Sequence, residues 1–145
     1  MEHKLSYYPL NSFRVCIDSI DPDVKGNAYS PLQKEEVTFN GVGELIIKMD
    51  QLFDAIGYPQ GFQDKRSFGK KKEYWNLHKG IPQYTLDQKS ILEKSGILKT
   101  MDIMVKSRKN TSWQGEIYDD KGNYISTFAG EVGLFNLINS ILQQS

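Results

Sequence analysis

Thr38-Phe39-Asn40-Gly41-Val42-Gly43-Glu44-Leu45 and Thr127-Phe128-Ala129-Gly130-Glu131-Val132-Gly133-Leu134 are the two stretches that decide the fold. In each, a Thr-Phe pair ends a segment with strand-like composition, a Gly follows, and a Leu then opens a helical pattern. Shifting the sequence by 89 positions lays Val24–Phe53 over Trp113–Leu142 without a gap, and Gly26 then meets Gly115 while Tyr29 meets Tyr118. Identities over so short a window are few. The weight rests on the hydrophobic period, which changes from two to about 3.6 at the same place in both copies.

Upstream of that place, Phe13, Val15 and Ile17 alternate, as do Met101, Ile103 and Val105, and each set predicts a half-buried first strand. Second strands are expected near Gly26–Ser30 and Trp113–Asp119, and third strands near Glu36–Phe39 and Asn123–Phe128. Asp120-Lys121-Gly122-Asn123 supplies a hairpin turn in the second copy, and Pro31 marks the corresponding break in the first.

Downstream, Val42, Leu45, Ile46, Met49, Leu52, Phe53 and Ile56 follow the three-and-four spacing of one helical face, and Leu134, Phe135, Leu137, Ile138, Ile141 and Leu142 do the same. Gly57 and Pro59 end the first helix. Gly41 and Gly130 occupy the N-cap positions. Glu44 then stands at the third helical position, where the second copy has Gly133, and Glu131 keeps a negative charge in that first turn.

Between the copies, Gly57–Gly80 is rich in Gly, Gln and Lys without a clean period and is expected to be a loop. Thr85-Leu86-Asp87-Gln88 has the spacing of a capping box and Gly96 that of a stop, which predicts a short helix near Leu86–Ser95. The chain is thus expected to be one α+β domain over residues 1–145. It consists of two similar strand-strand-strand-helix repeats, approximately 13–56 and 101–143, packed pseudo-twofold as an antiparallel sheet plus helices. A linker and the short helix fill 57–100, and the sequence leaves open whether the two helices share a face.

At 145 residues, roughly 68–70% of the chain's surface can be buried on folding, and the 39% hydrophobic and 25% charged fractions are those of a globular protein. Eighteen basic and eighteen acidic residues cancel, so no global field favours a polyanion. The single Cys16 cannot form an internal disulfide, which fits a reducing cytoplasm. Met1–Ser6 has no apolar character of a leader, and no stretch has the length to cross a bilayer as a helix; neither secretion nor membrane association is expected.

Ser112-Trp113-Gln114-Gly115-Glu116-Ile117, followed by Phe128 and the Leu134–Leu142 segment, resembles a group of small uncharacterised bacterial proteins. Their C-terminal halves share a Ser-Trp-Gln-Gly strand and a Phe-x-Ser-x-x-Glu-Leu helix start. Phe39–Gln60 is similar to sequences of the same group, and the resemblance implies no activity. The shared motif itself is helix initiation, with Ser at the N-cap and Glu three residues on.

Catalytic constellations are sparse. The only imidazoles, His3 and His78, would have to meet Cys16 for nucleophilic catalysis, whereas an isolated strand cysteine is usually inert. Asp18, Asp21, Asp23, Asp119 and Asp120 could hold a hard cation, yet Asp-Pro-Asp and Asp-Asp-Lys-Gly-Asn are also ordinary turn chemistry. Gly41-x-Gly43 lacks the rest of a phosphate-loop pattern. No cofactor, metal or catalytic residue is therefore expected, and an enzyme is the less favoured class.

Lys65, Arg66, Phe68, Lys70, Lys71, Lys72, Tyr74, Trp75 and Lys79 form the most unusual local composition. Cations on phosphates with aromatics stacked on bases would suit single-stranded RNA or DNA, and a solvated lysine-rich loop would look the same in sequence. Trp113 is expected to pack. The function expected from these observations is a non-enzymatic protein- or peptide-binding or regulatory module, with nucleic-acid binding through Lys65–Lys79 as the alternative.

Overall fold

The computed structural model describes residues 9–57, 61–62, 85–109 and 112–143. The alternating segment around Phe13, Val15 and Ile17 is β1 (Ser12–Ser19), followed by β2 (Lys25–Tyr29), β3 (Val37–Asn40) and α1 (Val42–Ile56). A two-residue β4 (Gly61–Phe62) and a short α2 (Gln88–Leu92) come next. The chain then forms β5 (Lys99–Lys109), β6 (Gln114–Asp119), β7 (Tyr124–Ala129) and α3 (Glu131–Gln143). The strands lie in the order β3-β2-β1-β5-β6-β7 with every neighbouring pair antiparallel, while β4 runs parallel to the end of β5. The fold class is α+β, and each of the two long helices, α1 and α3, follows the strand at one end of the sheet.

Both long helices cover the same face. Phe13, Val15, Ile17, Met101, Ile103, Val105, Ile117 and Phe128 alternate onto that face and share one buried cluster with Leu45, Met49 and Phe53 of α1 and Leu134 and Ile138 of α3. At its centre Phe13, Phe53 and Trp113 meet pairwise with ring centroids 5.7 to 6.2 Å apart, in the tilted and edge-on arrangements that aromatic quadrupoles favour. Trp113 is fully buried and donates its indole N–H to Asp50 Oδ1 at 2.8 Å, so it is a core residue.

The same local device recurs on either side of the sheet. Gly26 lies opposite Phe39 and Gly115 opposite Phe128, both rings being buried. A Cβ at Gly26 would overlap the Cys16 carbonyl oxygen, and one at Gly115 the Met104 carbonyl oxygen. Only Gly permits strands to approach so closely.

The expectation of a half-buried β1 needs correction. Ser12 to Ile17 are buried without a break, because the chain that leaves α2 crosses behind the strand. Arg14 organises that second face. Its Nε and Nη2 donate to the Asp102 carboxylate at 3.0 and 2.9 Å; Nη1 reaches the carbonyls of Leu92 and Lys94, and Nη2 that of Asp120.

The helix start near residue 86 is also corrected. Asp87, not Thr85, is the N-cap, its carboxylate accepting from Ser90 N–H at 2.8 Å, and the helix is only five residues long. Thr85 instead donates through both its amide and its hydroxyl to the Pro31 carbonyl, which ties the chain before α2 to the loop after β2. Gly96 lies beyond the helix and is packed against the Ile17 backbone, so close approach rather than helix termination accounts for it. Gly57, by contrast, ends α1 as expected, with φ 84° and its amide on the Phe53 carbonyl.

Candidate functional site

The two outer strands end in the same way but present different edges. Gly41, at φ 108°, turns its amide to the Val24 carbonyl at 2.6 Å. Because backbone groups along an antiparallel strand alternate between its two sides, Phe39 faces β2 while Thr38 and Asn40 face outward. Side chains of α1 occupy both outward groups. Glu44 Oε1 accepts from the Asn40 amide at 2.6 Å, and Lys48 Nζ donates to the Thr38 carbonyl at 2.7 Å, with Lys48 and Glu44 themselves 3.6 Å apart. Charged side chains on an outer strand block pairing with another chain, and β3 is closed in this sense.

On β7 the phase is the same. Gly130, at φ 87°, donates to the Trp113 carbonyl at 2.7 Å, so Thr127 and Ala129 face outward. The start of α3 matches that of α1: Leu134 N–H reaches Gly130 O at 3.0 Å as Leu45 N–H reaches Gly41 O at 3.2 Å. The positions that carry Glu44 and Lys48 in α1 carry Gly133 and Leu137 in α3. Neither side chain can hydrogen-bond, and the Thr127 carbonyl and Ala129 amide have no partner among the described residues.

The surroundings of that edge are apolar. Tyr124–Gly130 contains no charged residue, and Tyr124, Val132 and Phe135 are 54%, 72% and 40% exposed. A Cβ at Gly133 would meet nothing within 4 Å, whereas Leu137 packs partly against the core. β7 and the first turns of α3 therefore form a ledge whose strand is uncharged, with Glu131 as the acidic residue of the first helical turn and one open notch at Gly133.

Other polar features are already committed. A shallow groove of about 400 Å³ runs beside β3, but Asp18, Lys25, Glu44 and Lys48 line it with balanced charge. Arg108 bridges Asp50 and Asp54 at 3.0 and 2.9 Å and lies over the Phe53 ring, joining β5 to α1. Tyr118 donates to Glu116, and that hydrogen bond, with Lys106 in support and burial opposing, holds the Glu116 carboxyl below its usual range. Burial, then Glu116, pushes the Tyr118 phenol up to about 12.

Burial chiefly pushes the Cys16 thiol up to about 11, so it is a neutral, inert group at physiological pH. Asp119 is a turn residue: its Oδ1 accepts from the amides of Lys121 and Asn123, closing the expected Asp120–Asn123 hairpin turn. Gly41 is the N-cap of α1, as expected, and its amide donates within the sheet.

Among the described residues no three His, Cys, Asp or Glu side chains are grouped to hold a metal ion, and no helix is long and apolar enough to cross a membrane. Lys65, Arg66, Phe68, Lys70, Lys71, Lys72, Tyr74, Trp75 and Lys79 lie outside the described residues, as do His3 and His78. The β7 edge was not among the sequence-derived candidates. Its signal was the replacement of the Glu44 position by Gly133, which sequence alone ties to helix initiation rather than to a strand edge.

No family model, no curated protein and no solved structure matches the chain.

Proposed function

We propose that the chain is a protein-interaction module, built from two pseudo-twofold-related strand-strand-strand-helix repeats, that accepts an extended segment of a partner on the outer edge of β7. The duplication is supported by the offset that carries Ile17, beside Gly26, to Val105, beside Gly115: it also carries Arg14 to Asp102, its own cross-strand partner. A local dyad between those two side chains accounts for the symmetric strand order.

The single observation that carries the function is the contrast between the edges. Glu44 and Lys48 satisfy the outward backbone of β3, and Gly133 and Leu137 leave that of β7 without a partner among the described residues. The Thr127 carbonyl and Ala129 amide, without a partner among the described residues, supply the main-chain hydrogen bonds by which a partner strand extends a sheet. Cys16, a buried and neutral thiol, supplies no nucleophile to this edge.

The test is to pan a random nine-residue peptide library, displayed on phage, against the wild type and against Gly133→Glu/Leu137→Lys, which transplants the closed edge onto β7. Peptides enriched on the wild type should lose at least tenfold in affinity for the double variant. Ala129→Pro, which deletes only an outward N–H, should weaken them likewise. Equal affinity for all three proteins, or no enrichment on the wild type, would overturn the proposal.

A further inference from the structure

We infer that the segment accepted by β7 carries a bulky apolar residue at the position opposite Phe128 and no acidic residue beside it. The inference rests on the strand-accepting role proposed above and names the partner's chemistry.

In an antiparallel or parallel extension of the sheet, side chains directly across from one another share a face. Phe128 faces the helices, so the incoming residue opposite it also faces them, beside α3. On the first half of the chain the corresponding space borders Glu44 and Lys48; beside β7 it borders Gly133 and Leu137. Gly133 offers open space and Leu137 an apolar wall. A Leu, Ile or Phe side chain would be desolvated there, and the stabilisation of about 1.5–3 kcal/mol per buried side chain converts to at least a tenfold preference over Ala.

A carboxylate would have no countercharge, since Tyr124–Gly130 is uncharged and the charge that follows it in the first turn of α3, Glu131, is itself acidic. The same geometry speaks against a second copy of this chain as the occupant. Pairing two β7 strands about a dyad, with Thr127 facing Ala129, would place Phe128 opposite Phe128, but that ring is only 4% exposed within its own core and cannot also fill the notch.

The experiment compares consensus sequences from the same nine-residue phage library on the wild type and on Gly133→Leu, which occupies the notch without charging it. Wild-type binders should share one fixed Leu, Ile or Phe with no acidic neighbour, and replacing it by Ala in a synthetic peptide should cost at least tenfold in Kd. On Gly133→Leu the fixed position should shift to Gly, Ala or Ser. Binders that lose affinity on Gly133→Glu/Leu137→Lys yet show no fixed apolar position would overturn this inference and leave the strand-accepting role intact. Sedimentation equilibrium on the wild type alone should show a monomer; a dimer that dissociates in Gly133→Glu would make a second copy the occupant and overturn the inference.

Discussion

Arg14 and Asp102 stand opposite each other where β1 meets β5, joined by two N–H···O bonds of 3.0 and 2.9 Å with side chains 3% and 4% exposed. Breaking such a pair leaves a buried charge without its counterion, which typically costs roughly 3–5 kcal/mol. Asp102→Ala should therefore lower the unfolding free energy by about that amount in urea titration. The double variant Arg14→Met/Asp102→Leu should recover part of the loss, but not all, because the carbonyls of Leu92, Lys94 and Asp120 lose their donor. A loss below about 1 kcal/mol for Asp102→Ala would mean that the pair is not desolvated.

Phe39 and Phe128 are 2% and 4% exposed, and each lies opposite a glycine whose Cβ would overlap the neighbouring strand. Phe→Ala at either site should cost roughly 3–5 kcal/mol. Gly26→Ala and Gly115→Ala should also destabilise, by about 1–3 kcal/mol or more, since backbone must move to admit the methyl. Thermal unfolding of the four variants checks both expectations, and similar losses at matched positions would support the duplication.

The pattern of successes follows from what a sequence encodes locally. Phe13, Val15 and Ile17 announce β1 because one face is apolar, and the α1 and α3 stripes are equally plain. That Arg14 and Cys16 are buried on the other face depends on α2 and the chain after it, a tertiary contact to which the alternation is blind. Thr85 and Asp87 are both good caps, and the choice between them is made by the distant Pro31 carbonyl, which takes Thr85. The β7 edge was illegible for a similar reason: Glu44 and Lys48 act on β3 only because α1 folds back over that edge.

Cys16 should resist alkylation by iodoacetamide in the native protein at pH 8, since burial pushes its thiol up to about 11, and should react promptly once the chain is unfolded in urea. Fast labelling of the native state would contradict the covered second face of β1.

The Tyr118 hydroxyl is the first cause of the lowered Glu116 pKa, so Tyr118→Phe should move that carboxyl back toward the ordinary carboxylate range in an NMR titration. The sign for stability follows. A carboxyl depressed in the folded state stabilises above its unfolded pKa, and that contribution fades as pH falls through the folded value. The stability difference between wild type and Tyr118→Phe arising from this contact should therefore shrink on acidification; a constant difference from pH 7 to the acid limb would count against the interaction.

The contrast between the two edges is tested most directly by native-state amide hydrogen exchange at Asn40 and Ala129. Asn40 donates to Glu44, whereas Ala129 faces outward without a partner among the described residues. The Asn40 amide should show a protection factor severalfold above that of Ala129, and Gly133→Glu should raise Ala129 toward the Asn40 value. Equal protection at Ala129 in dilute, partner-free wild-type protein would mean that the β7 edge is already occupied, and would contradict the account.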